Sequence, residues 1–226
     1  MAERPILFSG EMVLAILDGR KTQTRRLRGL EIVNENPSDF ILASVSMVPD
    51  QQWFRFLKSS DELTRRIKCP YGKPGDVLWC REAWRTVDVG DYGAIEYRAD
   101  RAVIECPAKP TKYDDPHALW CLEYEKHGDK WRPSIHMFRC FSRISRLVKD
   151  VRVERLQEIS DEDAMSEGVF GDEIFTKDCV FPGDRITPAC CFANLWNSIN
   201  AKKHSWSGNP WVFVMQFERM EEAANG

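Results

Sequence analysis

The sequence predicts an α+β fold in one domain, and three observations carry that reading. Two short amphipathic stretches have helical spacing, Met12, Val13, Ile16 and Leu17 near the start and Phe192, Leu195, Trp196 and Ile199 further on. Several other runs have strand period, most clearly Trp211 to Glu218, where Trp211, Phe213, Met215 and Phe217 alternate with Val212, Val214 and Gln216. With 226 residues, 43% hydrophobic and 11% aromatic, the chain can close a sizeable core without disulfide or metal staples.

The elements follow in order. Ser9 is placed to cap the first helix, and Gly19 to end it, because a left-handed closing residue suits glycine. An extended basic segment, Arg20 to Arg26, comes next. Residues 31–68 read as an insertion carrying a hairpin, Ile41 to Val48 and Trp53 to Leu57. The turn cluster Tyr71 to Asp76 leads into a strand from Val77 to Trp84, and another strand covers Ile95 to Ala99. Residues 106–130, rich in Pro, Asp, Lys and Gly, read as a second insertion, a long surface loop. Strands are expected near 140–148 and 150–156. A helix capped by Ser160, with Asp161, Glu162 and Asp163 in its first turn, is stopped by Gly168, and a last helix covers about 189–200.

A net charge of −3 gives no global field toward nucleic acid or membrane, so any nucleic-acid surface is local. No run approaches the ~18 apolar residues of a membrane span, and the opening residues are too short an apolar run for a signal peptide. Eight scattered cysteines without a Cys-x-x-Cys knuckle read as reduced thiols in a cytoplasmic protein, with no metal site and no cofactor expected.

Three places carry candidate chemistry. Between Gly19 and Arg26, hydroxyls and cations crowd together, suited to holding a phosphate or a polarised carbonyl; Arg20, Thr22, Arg25 and Arg26 are the candidate binding residues. Lys21 and Thr24 are three apart, so a regular strand sends them to opposite sides, and a turn is required if the amine is to activate the hydroxyl. The bland alternative for this segment is a solvated basic edge strand. Glu167, in the last turn before Gly168, opposes the helix dipole, which is weak evidence for function. From Trp131 to Arg146, aromatics interleave with Arg132, His136, Arg139 and Arg143, the combination single-stranded nucleic acid needs, although core aromatics with solvated arginines fit equally well.

These segments, in this order, resemble the ASCH superfamily. The resemblance rests on Gly19-Arg20-Lys21-Thr22-x-Thr24-x-Arg26, on Lys73-Pro74-Gly75-Asp76-Val77-Leu78, on Ile159 to Glu167 and on Pro210 to Phe217. The opening Pro5 to Gly10, Cys69-Pro70-Tyr71-Gly72 and Trp131 to Met137 are similar to larger phage and prophage members. The resemblance implies a PUA-like mixed β-barrel with short flanking helices, and a basic cleft for RNA or a modified nucleotide. A small bacterial branch deacetylates acetylcytidine with a lysine, a threonine and a glutamate. By that similarity Lys21 is the base, Thr24 the nucleophile and Glu167 the group that orients or protonates. Some relatives are ribonucleases. A phage accessory protein working through protein contacts, with the 106–130 segment as its surface, is the third expectation.

Overall fold

The computed structural model describes residues 1–48, 51–58, 64–90, 93–106, 115–169 and 187–220. In chain order the elements are β1 (Glu3–Leu7), α1 (Gly10–Leu17), β2 (Gln23–Arg26), α2 (Glu31–Asn34), β3 (Phe40–Val48), β4 (Gln51–Lys58) and β5 (Thr64–Lys68). They continue with β6 (Val77–Arg81), β7 (Trp84–Asp88), β8 (Gly93–Tyr97), β9 (Val103–Glu105), α3 (Pro116–His127), β10 (Ser145–Arg155), α4 (Asp161–Ser166), α5 (Pro188–Asn200) and β11 (Trp211–Arg219). The fold is α+β and rich in sheet, with few and short helices. Among the described residues no helix is long and apolar enough to cross a membrane.

The chain divides into two compact units that interleave along the sequence. The first holds Met1–Asp18, Val77–Arg146 and the residues from Arg219 on; the second holds Gly19–Asp76 and Leu147–Glu218.

In the first unit β1 pairs in parallel with β6, Pro5 standing opposite Trp79. Pro5 is tolerated because β1 is an edge strand, where a missing N–H breaks no ladder. β7, β8 and β9 form an antiparallel sheet. Its core gathers Trp84, Ile95, Tyr97, Met137 and Phe141, and the Tyr97 hydroxyl donates to Phe141 O at 2.8 Å. Burying such aromatic bulk is the largest stabilising term available to a unit of this size.

The segment expected to be a loop, 106–130, is corrected by α3. Asp115 accepts from the Ala118 N–H and Pro116 stands at the first turn, a strong helix start. The helical period is missing because only Pro116 is buried along α3, so no apolar stripe marks it. Trp120 anchors the helix: its indole N–H donates to Ala94 O at 3.0 Å, and a Cβ at Gly93 would run into its ring. Residues 107–114 of that segment lie outside the described residues.

In the second unit β10, β11 and β2 are neighbours in that order, and β3, β4 and β5 form an antiparallel sheet. Trp211 to Met215 are all buried, both faces of β11 being covered, so its apparent alternation is that of a central strand. One face, through Val212 and Val214, meets Phe192 and Trp196 of α5 and Ala164 of α4. On the other, Phe213 meets Phe54 edge-on at 5.5 Å; Phe56 meets Trp211 at 5.2 Å.

Smaller corrections follow from packing. Ser9 stands at the start of α1 without a side-chain cap bond, whereas Ser160 accepts from Asp163 N as expected. Leu17 and Ile199 are exposed, Ala15 and Ala193 taking places on the buried faces instead. The strand expected over 77–84 is two, β6 and β7, while those near 140–148 and 150–156 are one, β10. β5, whose sequence Thr64-Arg65-Arg66-Ile67-Lys68 has little apolar content, was not expected as a strand.

Candidate functional site

Two clusters collect the residues singled out in the sequence, one in each unit. In the second unit, Gly19 takes φ 79° after α1 and Gly168 takes φ 80° after α4, left-handed turns that suit glycine. They let Lys21 and Glu167 meet as an antiparallel bridge. Lys21 Nζ donates to Glu167 Oε2 at 2.7 Å and to Glu167 O at 2.8 Å. Arg25 Nη1 donates to Glu167 Oε1 at 3.2 Å, and its Nη2 lies 2.5 Å from Glu154 Oε1 and 2.8 Å from Asp163 Oδ2. Arg152 completes the set, 3.0 Å from Glu154 Oε2 and 2.5 Å from Asp163 Oδ2. Three cations thus face three carboxylates. Lys21, Arg25 and Glu167 are buried.

Burial pushes the Lys21 ammonium below its ordinary range and outweighs the opposing pull of Glu167. Burial pushes the Asp163 carboxyl up, but Arg25 and Arg152 outweigh it and hold it below the usual carboxylate range. Such a network is strong only while complete, since each member is desolvated and depends on its partners.

The chain is extended from Lys21 to Arg26 with no turn between Lys21 and Thr24. Lys21, Gln23 and Arg25 therefore share one face, and Thr24 leaves β2 on the other, opposite Met215. The structure brings Lys21 and Glu167 together and sends the Thr24 side chain to the opposite side of the strand. Arg25 has its guanidinium committed to carboxylates. Arg20 is exposed and donates to Gly168 O at 3.2 Å, Thr22 is exposed, and Arg26 is half-buried opposite Phe213.

In the first unit Arg132, His136 and Arg139 line one concave site of about 520 Å³, with Trp79, Arg81 and Ile135. The Arg81 and Arg139 guanidinium carbons lie 4.8 and 5.8 Å from the Trp79 ring centre. Arg139 is held by Glu3 at 2.6 Å and Arg132 by Glu123 at 3.4 Å. Arg81 donates to Ile135 O at 3.3 Å, while its Nε is buried with no hydrogen-bond partner among the described residues. Ile135 and His136 are exposed at the rim. Arg143 is not part of this site. It grips Glu82 through two bonds of 2.9 and 2.8 Å and Asp100 through two of 2.8 and 2.9 Å, lying 4.1 Å from the Tyr97 ring centre.

The sequence reading missed Arg81, Glu154, Asp163 as an ion-pair partner, and Arg152. The acidic first turn of α4 gave no signal of ion pairing, since carboxylates there already suit the helix N-terminus. Among the described residues no group of three or more His, Cys, Asp or Glu side chains is placed to hold a metal ion. No protein-family model matches the chain, no curated protein does, and no solved structure does.

Proposed function

We propose that this is an ASCH-type protein with a PUA-like barrel, phage or prophage encoded and cytoplasmic, that binds RNA or a nucleotide in a basic concavity. The order of the sequence motifs supports the family reading. One observation supports the ligand: Arg81, Arg132, His136 and Arg139 converge on one concave site against Trp79. Of these arginines Arg81 has no carboxylate partner among the described residues, so its exposed guanidinium nitrogens are left to meet an incoming oxygen anion. A phosphate there meets charge-assisted donors, while the exposed Ile135 side chain covers a ribose or base.

Titration calorimetry with the four ribonucleoside 5′-monophosphates tests this. Binding is expected, and Arg81→Ala is expected to weaken it by about 1.5–3 kcal/mol, the value of a hydrogen bond to a charged group. Wild-type protein that ignores all four overturns the reading.

Deacetylation of an acetylcytidine-type nucleoside is the second reading, favoured by a buried lysine whose pKa is lowered and which contacts a carboxylate at 2.7 Å. On this reading wild-type protein releases acetate from acetylcytidine and Lys21→Met abolishes release. With Thr24 on the far face of β2, turnover that survives in Thr24→Ala assigns the attack to a water activated by Lys21. Turnover lost with the fold intact assigns it to the threonine. No acetate from the wild type removes the hydrolase reading.

A further inference from the structure

The β3–β4–β5 sheet of the second unit has one face turned inward and one turned out. Phe54 and Phe56 are fully buried, so the odd residues of β4, Trp53, Arg55 and Leu57, leave on the outer face. Residues directly paired across strands share a face, which fixes their companions. Lys68, Trp53 and Ser46 form one row, Arg66, Arg55 and Ser44 the next, and Thr64, Leu57 and Ile41 the third.

The middle row is unusual. Arg55 and Arg66 stand directly opposite each other, an arrangement that costs stability in an antiparallel pair. Both are exposed, and among the described residues neither they nor Lys68 form an ion pair; Arg55 Nη2 only approaches Thr64 Oγ1 at 3.5 Å. This contrasts with Arg25, Arg143 and Arg152, each held by two or more carboxylates. Beside the uncompensated cations lie a half-buried indole and the exposed Ser44 and Ser46. Cations that meet no carboxylate among the described residues, an aromatic platform and hydroxyl donors on one pleated face match a chain of phosphates with bases between them. Along β5, Arg66 and Lys68 are ~6.7 Å apart, a step comparable to that between successive phosphates of an extended single strand.

We propose that this outer sheet face binds single-stranded nucleic acid, with Arg55, Arg66 and Lys68 on consecutive phosphates and Trp53 stacked on a base. The inference does not rest on the concavity of the first unit. A mononucleotide carries too few phosphates to engage the row and reports on the concavity alone, whereas the change in oligonucleotide binding when the row is removed reports on the sheet.

The test is fluorescence anisotropy of labelled 12-residue oligouridylate and oligothymidylate against the full chain, over a range of salt. Binding of both strands assigns recognition to the shared backbone, and binding of oligouridylate alone assigns it to RNA. The triple variant Arg55→Ala, Arg66→Ala, Lys68→Ala is expected to bind about 100-fold more weakly at 0.1 M salt. It should also flatten the slope of log K against log salt by about 2, as three lost contacts on a single strand require. Trp53→Leu should cost about tenfold and remove most of the quenching of tryptophan emission that oligonucleotide binding produces in the wild type. Arg55→Lys with Arg66→Lys, which keeps the charges, should retain most of the salt slope. Oligonucleotide binding unchanged in the triple variant overturns the proposal. So does a wild-type protein that ignores both strands but binds phosphatidylserine vesicles or polyglutamate. Mononucleotide titration of the triple variant should match the wild type, so failure of one site does not masquerade as failure of the other.

Discussion

Glu167→Leu is expected to lower unfolding stability by about 3–5 kcal/mol, measured as a shift in the urea midpoint at constant m-value. The loss is large because the substitution leaves two buried cations, Lys21 and Arg25, without the carboxylate they share. Lys21→Met should cost less, since Glu167 keeps Arg25 and the methionine fills the volume of the lysine stem. The pH dependence of the Glu167→Leu deficit has a definite sign. Lys21 already has a lowered pKa from burial, and losing its carboxylate lowers it further. The folded state then binds fewer protons than the unfolded chain between that lowered value and 10.5. Stability rises with pH across this window, so the deficit shrinks as the solution is made alkaline.

Arg143→Leu should cost about as much, ~3–5 kcal/mol, with the opposite signature. It strips Glu82, only 2% exposed, of a bidentate partner and removes the cation over the Tyr97 ring. Burial already raises the Glu82 carboxyl, against the pull of Arg143, so the variant raises it further. A group with a raised folded pKa contributes stability in full below the unfolded value of 4.5, and that contribution is lost as pH rises through the folded value. The deficit is therefore smallest in acid and grows toward neutrality. Urea titrations of the two variants at pH 5 and pH 9 should cross, and parallel curves would show that neither buried group titrates as described.

Both residues were singled out for ligand contact, and their placement shows what a sequence can and cannot convey. The period of two on β2 was legible: Lys21, Gln23 and Arg25 share a face, and Thr24 faces away unless a turn intervenes. The partners were not, because Glu154 and Glu167 lie more than a hundred residues along the chain from Arg25 and no local pattern joins them. The amphipathic helices α1 and α5, and the long apolar strand β11, were placed to within a residue or two. α3 was lost because a helix without an apolar stripe looks like a loop, although Asp115-Pro116 was a legible start. The sequence grouped Arg132, His136, Arg139 and Arg143 in the basic stretch from Trp131, and the structure places the first three along one concavity. Sequence alone could not separate them from Arg143, whose carboxylate partner Glu82 belongs to a distant segment.

The interleaving of the two units bears on how the chain emerges from a ribosome. Neither unit is a contiguous stretch, so neither can be released whole by a single cut or made as an independent fragment. The first unit lacks its Trp84–Phe141 aromatic contact until residue 141 has been synthesised. The second waits longer: β11, which stands between β10 and β2, is the last of the described strands, so β2 remains an unpaired edge while all the residues between it and β11 are made. At about 5–20 residues per second that exposure lasts on the order of ten seconds or more, a window in which an unpaired strand is vulnerable to aggregation. The hydrophilic composition of β2, Gln23-Thr24-Arg25-Arg26, suits a strand that must wait in water for its partner.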